Sequence, residues 1–245
     1  MKIIKILLIS FLALIYNCKK QNNSTTGLIT SKAMVVSARE EASKIGSDIL
    51  KQGGNAFDAM VATQFALAVA HPSAGNISGG GFMIYRKGNG DIGSLDFREK
   101  APLSAHKDMY LDSTGNVIQG MSTLGATAVG VPGSVAGAIE VHKKFGTLPL
   151  SKILAPVIAL AEKGVIVTEK QEKKIAPYLE DFIKVNGEHS KFSIPYKAGD
   201  TIKYLALANT LKRWSRNTLH RTPHLSPAYL YLDHRILQVI PRHHT

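Results

Sequence analysis

Cysteine is almost missing from this chain: Cys18 is the only one in 245 residues, so no disulfide can form within it. Lysine is missing from one region only. All 22 lysines lie at or before Lys212, whereas five of the eight arginines (Arg213, Arg216, Arg221, Arg235, Arg242) and five of the nine histidines lie beyond it. A lysine-rich coding sequence read out of phase changes its residue mix in this way, and residues 213–245 are expected to be a frameshifted or otherwise non-native tail. Its histidines, His220-x-x-x-His224 and His243-His244, lack accompanying cysteine and have little acid nearby, so a zinc-binding tail is the weaker reading. Acid is also short overall, leaving a net charge of +12. That excess does not point to nucleic acid. Residues 1–212 hold 25 Lys and Arg against 17 Asp and Glu without a basic stripe, and aromatics do not interleave with the charges as a single-strand-binding face requires. A phosphate-cradling loop is absent too: Gly75-x-x-x-Gly79-Gly80-Gly81 lacks the Gly-Lys-Ser/Thr ending and leads into a strand, whereas nucleotide loops lead from a strand into a helix.

What the N-terminus does hold is a targeting pattern. Lys2 and Lys5 precede an apolar run from Ile6 to Tyr16, too short to span a bilayer and typical of a secretory signal, assigned to residues 1–17. Cys18 follows directly, then the polar stretch KKQNNSTTG. The arrangement resembles the lipobox of a bacterial lipoprotein, with Cys18 as the lipid-bearing residue and 18–32 as a polar tether; Tyr16-Asn17 departs from the usual small pair. A conventional cleaved signal with an incidental cysteine is the alternative. Export to the periplasm or outer surface is expected either way; the lipoprotein reading adds membrane attachment through a lipid at Cys18.

The most informative stretch runs from Gly75 to Pro102, GNISGGGFMIYRKGNGDIGSLDFREKAP. Gly79, Gly80 and Gly81 have no Cβ, so the backbone there can take positive φ or lie close against a ligand or another segment. Close packing without a ligand is the competing reading. Phe82–Arg86 and Ile92–Phe97 carry strand-forming residues around Gly88-Asn89-Gly90, which predicts a hairpin. At its end Arg98, flanked by Asp96 and Glu99, offers a planar cation suited to bidentate pairing with a carboxylate. An ordinary surface pair with Asp96 or Glu99 is the alternative.

Elsewhere the pattern predicts a short strand at Met34–Ala38 and a capping box Ser37-x-x-Glu40 opening a helix to about Gln52. Gly53-Gly54 stops it. Asn55 caps a second helix to His71, apolar nearly all round and therefore interior, with His71 as its C-terminal cap and not a catalytic base. Pro132-Gly133 opens a helix over Ser134–Phe145, a further one spans Ile153–Lys163, and EKQEKKIAPYLEDFIK gives solvated helices broken at Pro177. The run GDTIKYLALANTLKRWS is expected to form an amphipathic helix. This mixture makes an α/β layered domain over residues 33–212, with no internal repeat or linker.

The runs QGGNAFDAMVA, ALAVAHPSAGNISGGGFMIYRKGNGDIGSLDFREKAP and TAVGVPGSVAGAIEVHKKFGTLPL resemble the large subunit of bacterial gamma-glutamyltranspeptidase (glutathione hydrolase) from about Ala33 to about Lys212. The resemblance implies the αββα sandwich of N-terminal-nucleophile hydrolases, of which this chain holds an incomplete, large-subunit portion. It implies that Arg98 grips the α-carboxylate of a γ-glutamyl substrate, with loop contacts from Gly79, Gly80 and Gly81. In that family a self-cleaved precursor exposes an N-terminal threonine on the small subunit, which transfers the γ-glutamyl group to water or an amino acid. That nucleophile lies far downstream of the matched region. Thr25-Thr26 belongs to the tether, so this chain is expected to be inactive without its small subunit. The alternative is a non-catalytic exported lipoprotein that binds γ-glutamyl compounds or a separately encoded small subunit. No metal or organic cofactor is implied.

Overall fold

The structure, a computed structural model, describes residues 27, 29–75 and 77–216. The leader, Cys18, Thr25-Thr26 and the histidines at 220, 224, 243 and 244 lie outside the described residues. Contacts divide the chain into Met1–Ala33 and Met34–Thr245. In the first unit, the Thr30 hydroxyl donates to the Ala33 carbonyl at 2.9 Å. The second unit carries all the helices and strands among the described residues.

Its helices are α1 (Glu40–Lys51), α2 (Ala56–Ala70), α3 (Ser134–Phe145), α4 (Leu150–Lys163), α5 (Glu169–Ile175), α6 (Leu179–Asn186) and α7 (Leu205–Arg216). A hairpin of β1 (Phe82–Arg86) and β2 (Ile92–Asp96) lies between α2 and α3, and a minimal antiparallel pair joins β3 (Val165–Ile166) to β4 (Thr201–Ile202).

Helix α2 is the centre of the domain. Asn55 caps it as its sequence predicts: its Oδ1 accepts from the amides of Phe57 and Asp58 at 2.9 and 3.0 Å, and Asp58 Oδ2 accepts from Asn55 N at 3.0 Å. Reciprocal capping satisfies donors that a helix start leaves orphaned. Ten of its fifteen residues are buried, so α2 sits inside a layer of helices. Helices α1, α3 and α4 pack on it, and α7 packs on α4. Gly46 lets α1 approach, since a Cβ there would lie 2.2 Å from Thr63 Oγ1. Ile49, Phe65, Ile153, Leu154 and Leu211 fill the fully buried centre.

The hairpin pairs Phe82 with Asp96, Ile84 with Ser94 and Arg86 with Ile92. Alternation sends successive side chains to opposite faces. Met83 and Phe97 are buried against the helices with Leu95 and Tyr85 beside them. Phe57 joins Tyr85 and Phe145 in an aromatic cluster, with ring centroids 5.5 and 4.5 Å away. The opposite face is bare: Phe82, Ile84 and Ile92 are exposed.

Three sequence expectations need correction. Met34–Ala38 is not a strand; a strand needs a hydrogen-bonded neighbour, and none pairs with this segment among the described residues. Ser37 does not cap α1. Arg39 occupies the cap position with no side-chain bond to the first amides of the helix, its guanidinium pairing instead with Glu41, while Ser37 Oγ meets Ser43 Oγ and the Arg39 carbonyl, both at 2.8 Å. Helix α4 starts at Leu150, one turn before Ile153, and carries Pro156 inside it. Helices α5 and α6 bury no residue, in keeping with a solvated pair interrupted around Pro177.

Candidate functional site

The segment around Arg98 is held by backbone on three sides. Phe97 extends the hairpin ladder, its amide donating to Gly81 O at 3.0 Å and its carbonyl accepting from Gly81 N at 3.3 Å. The first amides of α3 turn onto the same place: Gly133 N and Ser134 N donate to Gly79 O at 2.8 and 2.9 Å. Lys100 and Val131 exchange two backbone bonds of 3.1 and 2.7 Å, clasping the base of the largely irregular excursion 101–130. Glycine makes the close approach possible. A Cβ at Gly133 would sit 1.9 Å from Phe97 O, one at Gly137 2.3 Å from the Phe97 ring, and one at Gly80 2.6 Å from Glu99 N. Gly80 and Gly81 do not use left-handed backbone. Their smallness is used for packing chain against chain, and Gly79 contributes its carbonyl.

Asp96 Oδ1 accepts the Arg98 amide at 2.9 Å, which fixes the backbone from which the guanidinium departs. The side chain is 60% exposed. Its Nε lies 3.4 Å from Glu99 Oε2, and its Cζ lies 5.7 Å from the Phe82 ring centroid. The two Nη groups have no hydrogen-bond partner among the described residues. Glu99 Oε2 is buried without a hydrogen bond; the ion pair with Arg98 is its charge partner. The site therefore presents a cation whose donor fork is open, anchored at Nε and on one ring face. Chemically, such a fork accepts a carboxylate in its plane.

His71 caps the C-terminus of α2, its amide donating to Leu67 O at 2.7 Å. Partial burial, with Lys174, Arg39 and Lys170 around it, pulls its imidazole pKa below the usual value. Two concavities lie away from Arg98. One of about 320 Å³ is lined by Met34, Val36, Met60 and Leu67, among others; one of about 700 Å³ runs along Ile84, Ile92 and Ser94. Among the described residues no group of three or more His, Cys, Asp or Glu is placed to hold a metal, and no helix is long and apolar enough to cross a membrane. Sequence reasoning missed Phe82 beneath the guanidinium; its signal was an aromatic at an outward-facing hairpin position.

The architecture has counterparts among solved structures. The gamma-glutamyltranspeptidase of Helicobacter pylori matches with a TM-score of 0.73 and 43% identity, over 78% of this chain and 56% of that one. The gamma-glutamyltranspeptidase family matches residues 42–222. The glutathione hydrolase proenzymes of Pseudomonas sp. strain A14 and Escherichia coli K12 are 44% and 42% identical over 183 and 191 residues, or 73% and 76% of this chain. This is thus an α/β chain of the kind found in those enzymes. It belongs to the gamma-glutamyltranspeptidase family and spans about a third of the length of the curated relatives it matches.

Proposed function

We propose that the chain is the substrate-anchoring portion of a γ-glutamyl acyl-transfer enzyme, in which Arg98 holds the α-carboxylate of the γ-glutamyl group. The observation that carries this is the open Nη fork of Arg98 in a member of this family. Acyl transfer needs an activated hydroxyl and a site for the developing oxyanion. A threonine made N-terminal by precursor cleavage supplies the first: its amine takes the hydroxyl proton as oxygen attacks the γ-carbonyl, the amine of the donor leaves, and water or an amino acid releases the glutamyl group. No threonine of this chain occupies that context, so the chain alone is inactive and a small subunit completes it.

The bare hairpin face supports an αββα sandwich. One face of β1–β2 is covered by helices while Phe82, Ile84 and Ile92 stand exposed on the other, as a sheet awaiting a second sheet would have them. The leader supports export, and Cys18 supports a lipid anchor. The step in lysine and arginine usage supports a non-native tail within 213–245, while the packing of Trp214 on Phe65 at 6.1 Å argues for its start beyond α7.

The test is an assay of the purified chain on a γ-glutamyl anilide, with binding of L-glutamate followed in parallel. The expected result is no anilide release and saturable glutamate binding that Arg98→Ala abolishes. Turnover by the chain alone sinks its inactivity; binding unaffected by Arg98→Ala sinks the role of the arginine.

A further inference from the structure

We propose that Phe82 is a positioning residue for Arg98, an aromatic platform that holds the guanidinium flat so that its Nη edge stays available to a carboxylate; this rests on the reading of Arg98 given above. Phe82 is outside the buried core of this chain. It is 68% exposed, at an outward position of β1, where a smaller or polar residue would leave the hairpin's inner face unchanged. Its ring nevertheless has a partner: Arg98 Cζ at 5.7 Å from the centroid, inside the range in which a guanidinium is attracted to an aromatic face.

Both partners are fixed through one residue. Phe82 lies opposite Asp96 in the ladder, and the Asp96 carboxylate accepts the Arg98 amide, so ring and guanidinium are set from the same cross-strand pair. On the guanidinium edge, Glu99 Oε2 meets Nε at 3.4 Å. The ring occupies a face and Glu99 occupies the Nε edge, so neither competes with in-plane bonding at the two Nη groups. A long arginine side chain gives up substantial rotamer freedom when it grips a ligand, and contacts that order it beforehand lower that cost. The ligand class is a small molecule with a free carboxylate, as in the α-amino acid end of a γ-glutamyl compound.

The experiment is saturation-transfer NMR of L-glutamate with the full chain and its Phe82→Leu, Phe82→Tyr and Arg98→Ala variants, with the Arg98 Nε–Hε resonance recorded where the arginine is present. Leucine keeps apolar bulk and removes the π face. Phe82→Leu is expected to weaken glutamate binding about two- to five-fold, the size of an exposed cation–π contact, and to move the Nε–Hε resonance downfield as the ring current is lost. Phe82→Tyr recovers both. A purely structural role predicts a lowered melting temperature with no change in that resonance, and would overturn the proposal. Loss of binding in Arg98→Ala with unaltered binding and resonance in Phe82→Leu overturns the platform alone. Unaltered binding in Arg98→Ala, or no saturable binding by the unaltered chain, overturns the reading of Arg98 and the platform with it.

Discussion

Two charged residues, forty positions apart, are treated by this fold in opposite ways. Asp58 is fully buried and surrounded by donors: Asn55 N at 3.0 Å, Thr147 N at 3.1 Å, Thr147 Oγ1 at 2.6 Å and Leu148 N at 3.4 Å. Through it the start of α2 is tied to the turn between α3 and α4. Arg98 stands at the surface with one ion pair, one ring and an open fork. A charge enclosed by its partners has nothing left to offer a ligand and serves the architecture. A charge held in place with its best donors unspent is still able to pair with a carboxylate.

Substitution separates the two most sharply at Asp58. Asp58→Ala strands several buried donors and is expected to lower unfolding stability by about 3 kcal/mol, measured by denaturant melts followed by circular dichroism; Arg98→Ala takes away only the charge partner of Glu99 Oε2 and should cost no more than about 1 kcal/mol. Equal losses would erase the distinction. Next comes the backbone under the arginine. Gly133→Ala drives a Cβ to within 1.9 Å of Phe97 O and should cost about 2 kcal/mol of stability together with glutamate binding. A stable Gly133→Ala chain that binds normally would show that the close approach of α3 does not position Arg98.

The smallest effect belongs to the other end of α2. Burial of His71, reinforced by Lys174, Arg39 and Lys170, puts its native pKa below the ordinary 6.5. The unfolded chain therefore takes up the proton first as pH falls. Stability is full above 6.5 and declines below it, and the slope is shallow because the ring is only partly buried. Melts at pH 7.5 and 5.5 on the unaltered chain and His71→Gln check this; an identical slope in both removes His71 as its source.

Much of this was legible because it is local. Asn55 caps α2 from the position just before it, Gly88-Asn89-Gly90 turns the hairpin, and Pro132-Gly133 announces α3. The membership of the family was also legible from its motif blocks. What stayed hidden depends on distant partners. The ties from Asp58 to Thr147 and Leu148 span some ninety residues, and nothing near Asp58 announces them. Met34–Ala38 has strand-forming residues, but pairing decides a strand and its backbone finds no partner among the described residues. The glycine triplet could be read for ligand or for packing, and only the positions of Phe97 and Glu99 show how tightly Gly80 and Gly81 are enclosed.

Trp214 is the sole tryptophan of the sequence and packs against Phe65 of α2 at 6.1 Å. Its intrinsic fluorescence is therefore a single-site optical gauge: emission from this chain reports one junction, between the last described helix and the central one. A red shift that precedes the loss of helical signal would time the release of α7 without any label being attached.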